Sequence, residues 1–174
     1  MTATLTTART PLPAGSLGKN IAVAGGISTV VAVAGALLTD IGPWYQSLRQ
    51  PTWKPPDLAF GPAWTTIFTL ATASAVIAWR RAPDRETRLR ILRAYLANGV
   101  LNAGWSALYF TAKRPDWSLA ETVPLWLSIV HMMRVSGRCS PKAAALLAPY
   151  LLWVSFAAAL NLETVRLNGP FGER

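Results

Sequence analysis

The chain has 174 residues, 52% of them apolar and only 14% charged, where soluble domains carry about 25% charge. So few charges would leave a soluble protein of this size poorly hydrated, which points to a lipid-facing surface, and the apolar content excludes intrinsic disorder. One Cys (Cys139) and one His (His131) exclude a disulfide framework, a Cys-rich metal centre and a bis-His haem within one chain; the net charge of +9 and the eight Trp remain to be explained.

Residues 1–18, rich in Thr, Pro, Ala and Gly, read as a disordered tail. Five segments then have the ~20 apolar residues that cross a hydrocarbon core: Asn20–Thr39, Phe60–Trp79, Ile91–Thr111, Leu119–Val135 and Ala143–Val165. The first is too long for a signal-peptide core and lacks a clean cleavage site, so it is read as retained. The expectation is an all-α, multi-pass bundle of five transmembrane helices over residues 19–168, with a long first loop and a C-terminal tail of 169–174. Eleven of the 17 Lys and Arg fall in the N-terminal tail and the second and fourth loops. That bias puts these on the cytoplasmic side and the C-terminus opposite. It also removes nucleic acid as a partner, because the basic residues flank apolar helices and form no stripe interleaved with stacking aromatics.

The first loop, from Trp44 to Trp64, is long for a connection and carries three Trp, a Tyr and a Phe, with Pro51, Pro55, Pro56 and Pro62 stiffening it. Its aromatics fit either an interfacial belt or a lid over a pocket. The string Trp44-Tyr45-x-x-Leu48-x-x-Pro51-x-Trp53-x-Pro55-Pro56, with Phe60-x-Pro62-x-Trp64-Thr65 opening the second span, resembles the tryptophan-rich sensory protein or translocator protein family, TspO/MBR. Leu101-Asn102-x-x-Trp105-Ser106 resembles the same family, as does Pro149-Tyr150-Leu151-Leu152-Trp153 followed by Leu160-Asn161 and Leu167-Asn168. The resemblance covers roughly residues 40–168. It implies five membrane helices around a pocket closed by the first loop, commonly as a homodimer. It also implies binding of tetrapyrroles such as protoporphyrin IX and haem and of benzodiazepine-type ligands, with sensing, transport or light- and oxygen-dependent porphyrin breakdown as functions. The two tryptophans that the family associates with that breakdown match Trp64 and Trp153. The sterol-recognition Tyr of animal members reads Leu162 here, so cholesterol is not expected as a partner through that segment, and a bacterial membrane is favoured over the mitochondrial outer membrane.

On the third span Asn98, Asn102, Trp105 and Tyr109 fall within about 60° of one another at 100° per residue, and amides at membrane depth must look inward. Gly99, Ala103 and Ala107 form a second, small-residue stripe suited either to a dimer seam or to packing inside the bundle. On the fifth span Trp153, Ala157, Leu160, Asn161 and Thr164 share a face, with a recess at Ala157 beside the Trp153 indole. Trp53, Trp64, Trp105, Trp126 and Trp153 are expected to line one apolar cavity suited to a flat macrocycle, with Trp44 ambiguous and Trp79 and Trp117 as belt residues. Arg49 and Lys54 are the candidate cations for the porphyrin propionates, or else headgroup contacts. His131, near the basic end of the fourth span, is not expected to ligate haem iron. No phosphate loop, zinc motif or triad is present, no cofactor is required, and three functions stand: a tetrapyrrole-binding sensor or transporter, a photo-oxidative porphyrin-degrading enzyme, or a small membrane anchor with purely interfacial Trp.

Overall fold

A computed structural model describes residues 15–172, and every regular element in it is helical. The long helices are α1 (Leu17–Leu38), α3 (Phe60–Arg81), α4 (Arg85–Ser106), α5 (Pro115–Cys139) and α7 (Ala148–Asn168). Two short ones, α2 (Pro43–Ser47) and α6 (Pro141–Ala145), lie in the connections. Most of the expected tail, residues 1–14, lies outside the described residues, as do residues 173–174 of the C-terminal tail. Leu17 and Gly18, assigned to the tail from sequence, instead begin α1, because Ser16 caps it by accepting from the Lys19 N–H at 3.2 Å.

Local chemistry explains the other boundaries. Asp84 caps α4 through the Thr87 N–H (2.7 Å), so the expected Arg-rich second loop shrinks to Ala82–Asp84: Arg80 and Arg81 end α3 and the other arginines enter the first turns of α4. Pro115 and Pro141 open α5 and α6 at positions where the missing N–H costs nothing. Pro149 does the same for α7, and the fifth segment is accordingly broken at Leu146 and Leu147. Among the described residues, three units are long and apolar enough to cross a membrane: Leu17–Leu38, Asp57–Arg81 and Pro141–Asn168. The third and fourth segments differ from the sequence expectation here, because α4 begins with Arg85, Glu86, Arg88, Arg90 and Arg93 while α5 carries Asp116, Glu121, Arg134 and Arg138.

Helix α5 is central and packs on α3, α4, α6 and α7, whereas α1 packs on α3 and α4. The basic end is filled: Ala78, Ala143 and Ser136 are fully buried, Ser74 Oγ donates to the Ala143 carbonyl at 2.6 Å, and Arg81 Nη1 donates to Ser140 Oγ at 2.7 Å. Small and polar residues let the helices close up there. At the opposite end large rings hold them apart. Helix α1 has no buried residue, and Val30 and Leu37 are 68% and 83% exposed, as a helix facing lipid rather than water would be.

Candidate functional site

Between the spread ends of the bundle lies a cavity of about 950 Å³ walled by α1, α3, α4, α5 and α7 and roofed by the first loop. That volume is at the upper end of small-molecule sites, which run ~300–1,000 Å³. Two groups of rings make its walls. On α3 and α7, Trp64 meets Trp153 edge to face with centroids 6.4 Å apart, Phe60 meets Trp153 at 5.5 Å, and Trp64 stacks on Phe68 at 5.5 Å. On α4, Trp105 stacks on Tyr109 at 5.0 Å, with Phe110 tilted against Tyr109 at 4.7 Å.

The second group depends on a local change of helix geometry. After Ser106 the chain widens into a π-helical turn, Ala107–Thr111, with the Ala112 N–H bonded to the Ala107 carbonyl at 2.8 Å. This brings Tyr109 and Phe110, adjacent in sequence, to the same cavity. Lys113, at φ 55°, then ends the helix in the left-handed region.

The floor is a hydrogen-bonded layer. Asn102 Nδ2 donates to the Tyr150 hydroxyl (3.0 Å), Tyr150 donates to Asn98 Oδ1 (3.2 Å), and Asn98 Nδ2 donates to Ser128 Oγ (2.8 Å). Trp105 Nε1 is held by Thr122 Oγ1 at 3.0 Å. Asn161 ties α7 to the start of α5: its Nδ2 donates to the Pro115 carbonyl (3.1 Å), and its Oδ1 accepts from Ser118 Oγ (2.9 Å) and the Leu119 N–H (3.1 Å).

The roof rests on both aromatic walls and is latched to α7. Trp44 contacts Tyr109 (6.3 Å), Tyr45 contacts Phe110 (5.6 Å), and Trp53 contacts Phe156 (5.8 Å). The Arg49 N–H donates to Asn168 Oδ1 at 2.7 Å while Asn168 Nδ2 donates to the Arg49 carbonyl at 2.8 Å. Lys54 is paired with Asp57, which also accepts from the Tyr45 hydroxyl at 3.2 Å. Burial pulls the Lys54 ammonium down, but its bonds to Asp57 and Tyr45 outweigh that and leave it above the usual lysine value.

Of the residues singled out from sequence, Trp64, Asn102, Trp105, Trp153, Ala157 and Asn161 line this cavity. The others stand outside the lining. Trp126 is 36% exposed and donates from Nε1 to Ser155 Oγ (3.0 Å), on the outer side of the α5–α7 seam. Asn98 belongs to the hydrogen-bonded layer of the floor but not to the lining, and serves as a structural link. Trp44 and Trp53 brace the roof outside the lining, and Trp53 is 48% exposed. Arg49 and Lys54 are absent from the lining too: Arg49 is exposed and contributes its backbone to the latch, and the Lys54 charge is met by Asp57. Gly99 does not face a second chain, because a Cβ there would sit 2.7 Å from Val31 Cγ2 of α1; Ala103 and Ala107 remain half-buried. His131 is exposed, and no cluster of three metal-ligating side chains occurs among the described residues.

A family model described as TspO/MBR matches residues 22–167. The chain belongs to the TspO/MBR family. Its similarity to the tryptophan-rich protein TspO of Chlorobaculum tepidum is 36% identity over 82% of this chain and 92% of that protein. To the tryptophan-rich sensory protein of Cereibacter sphaeroides it is 34%, over 79% and 84%, and to the translocator protein of Sus scrofa 33%, over 72% and 75%. It is therefore a multi-helix membrane protein of the TspO/MBR type. Within this TspO/MBR chain, sequence reasoning missed cavity residues of two kinds. Ser28, Thr29 and Ala32 line it from α1, whose uniform apolar composition marks no face; Tyr45, Gln50 and Asp57 line it from the loop, where no helical period exists to be read.

Proposed function

We propose that the cavity binds a planar tetrapyrrole such as protoporphyrin IX or haem, and that the protein acts as a sensor or carrier of such pigments. The observation that carries this reading is a cavity of about 950 Å³ with indoles from three helices in its lining, Trp64 of α3, Trp153 of α7 and Trp105 of α4. Aromatic walls favour a flat, apolar ring system over a lipid chain, by ~0.5–1.5 kcal/mol per ring contact beyond area burial. Smaller aromatic ligands of the benzodiazepine type fit the same walls. Saturable quenching of tryptophan emission by protoporphyrin IX in detergent, weakened in Trp153→Leu and unaffected in Trp126→Leu, is the expected result. Absence of saturation with folded protein would overturn the proposal.

A second reading is favoured by one contact. Trp64 and Trp153 stand 6.4 Å apart in the cavity wall, close enough for an oxidised indole to exchange an electron with its neighbour beside a bound chromophore. On this reading the protein speeds light- and oxygen-dependent breakdown of the porphyrin. Illumination should then bleach bound protoporphyrin faster than free pigment, and Trp153→Phe should slow it; equal rates would exclude catalysis.

The protein is further proposed to reside in a bacterial membrane and to dimerise through the outward face of α4, where Ala103 and Ala107 remain half-buried. Leu162, standing where animal members are expected to have Tyr, supports the first point. Its recovery in a bacterial membrane fraction and its mass in native detergent micelles are the respective checks, a monomeric mass excluding the dimer.

A further inference from the structure

Helices α4 and α5 share an outer face that the cavity does not use. Across their seam Asn98 bonds to Ser128 and Trp105 to Thr122, so the two helices run antiparallel with those bonds on the inward side and with Arg93 level with Arg134. On α5 the outward stripe reads Val123, Leu127, His131, Arg134 and Arg138; at 100° per residue these lie within about 80° of one another, and every one is exposed. On α4 the flanking stripe reads Arg93, Ala97 and Val100, within about 60° and also exposed.

Both stripes change character at the same depth. Toward the roof they are apolar: Val100, Val123 and Leu127 are 72%, 60% and 55% exposed, as side chains that face lipid are. Toward the basic end they are cationic, with His131 one turn and Arg134 two turns beyond Leu127. The positive charge there is unmatched. Among the described residues Arg93, Arg134 and Arg138 form no ion pair or side-chain hydrogen bond, whereas Arg80 donates to the Gly15 carbonyl (3.3 Å), Arg81 donates to Ser140 Oγ (2.7 Å) and Arg90 is paired with Glu86. Glu86 is therefore already spent, and α5 has no Asp or Glu beyond Glu121.

Charge that only sets topology needs no registry with an apolar stripe. Here two helices bring cations to one place, directly below a continuous apolar surface, and that pattern matches an amphiphile with an anionic head. We propose that the outer α4–α5 face holds an anionic phospholipid, with its phosphate among Arg93, His131, Arg134 and Arg138 and an acyl chain along Val100, Val123 and Leu127. Guanidinium groups suit phosphate because they can bond it through two parallel N–H groups. The basic end is the one that the Lys and Arg bias turns to the cytoplasm, where the leaflet is negatively charged. The site is separate from the cavity and independent of what the cavity binds.

The test uses the full chain, stripped of co-purifying lipid in a non-ionic detergent, titrated with dioleoyl phosphatidylglycerol or dioleoyl phosphatidylcholine and read by native mass spectrometry. The two lipids share their chains and differ in the charge of the head. The wild type should take up a first phosphatidylglycerol ahead of weaker adducts and prefer it over phosphatidylcholine by about 10–100-fold, the effect of three cations beside an anionic head. Arg93→Gln, Arg134→Gln and Arg138→Gln together should cut that preference below about threefold. Lys19→Gln, Arg85→Gln and Lys142→Gln together remove the same charge from the basic end away from the two stripes and should keep it. All six side chains are exposed, so both variants should melt as the wild type does. Equal losses in the two variants would reduce the effect to bulk electrostatics and overturn the site, as would a wild type with no preference. Sodium phosphate should displace no more bound phosphatidylglycerol than sodium chloride of equal ionic strength; selective displacement would mean that these cations hold free phosphate, and would overturn the lipid assignment.

Discussion

Trp153 and Trp126 show how two indoles one helix apart come to differ in role. Trp153 meets Trp64, Phe60 and Phe156 and lines the cavity, whereas Trp126 reaches outward to Ser155. Trp153→Phe should weaken a flat aromatic ligand by about 2–10-fold, the worth of one ring contact. Trp126→Phe should leave affinity unchanged and lower stability by about 1 kcal/mol for the lost Nε1–H bond; titration and thermal melts read both, and equal affinity losses would contradict the division. Sequence reasoning grouped the two because each indole sits in an apolar span. The distinction was not legible there, since Trp126 follows the buried Leu125 directly and one residue turns the side chain by about 100°. Asn102, Trp105 and Tyr109 were legible because two amides at membrane depth mark an inward face. Asn98 shares that face but stands one turn further from the lining, within the floor's hydrogen-bonded layer, a difference of depth that periodicity does not report. Glu121 poses the opposite case: both its carboxyl oxygens are buried without a partner. Glu121→Gln keeps the shape and removes the ionisable group, so it should raise the melting temperature, by a gain on the order of 1–3 kcal/mol. A drop would mean that the carboxyl has a partner in the assembled protein.

The elements that build the site are helix ends and interruptions more than helix middles. The π-helical turn of Ala107–Thr111 delivers Tyr109 and Phe110 to one wall, and no sequence period announces it. Pro149 could be read as removing a helical hydrogen bond, but the fifth segment was read as continuous from Ala143 to Val165, and the break at Leu146 and Leu147 was not foreseen. The roof could be recognised as a stiff aromatic strap from its four prolines, but its latch could not, because Arg49 and Asn168 are 119 positions apart and the bond uses the Arg49 backbone rather than its charge. Asn168→Ala removes both bonds of this latch. Hydrogen exchange over residues 44–59 should then quicken by about 5–30-fold, the equivalent of 1–2 kcal/mol. Exchange over the buried middle of α5 should stay as it was. Uniform acceleration across the chain would show instead that Asn168 supports the whole bundle.

For the molecule as a whole, the contrast is between a closed basic end and an open, ring-lined end, with α1 as the wall that buries none of its own residues. Helix α1 buries no residue and contacts the bundle where Gly99 lets Val31 approach and where the Ser28 and Thr72 hydroxyls lie 2.7 Å apart. Gly99→Val would place atoms where Val31 already sits. It should destabilise by about 1–3 kcal/mol, the usual cost of overpacking, and it should weaken ligand binding by displacing the α1 wall; a dimer lost with stability unchanged would return Gly99 to an intermolecular seam.

The same seam bears on how a ligand enters. Thr29 and Val33 of α1 and Thr65 and Thr69 of α3 line the cavity and are exposed, which makes the α1–α3 seam one of two routes to test. Cysteines at Ser28 and Thr72, with Cys139→Ser to remove the native thiol, place two sulfurs near bonding distance and would pin α1 to α3. If ligands pass between these helices, oxidation should slow association and dissociation together by about tenfold or more, with Kd nearly unchanged, because a bolt across the entrance raises the barrier and not the depth of the well. If ligands enter under the roof instead, oxidation should leave both rates alone, while Asn168→Ala accelerates them. Stopped-flow quenching on the oxidised and reduced double-cysteine protein, with Asn168→Ala measured beside it, separates the two routes.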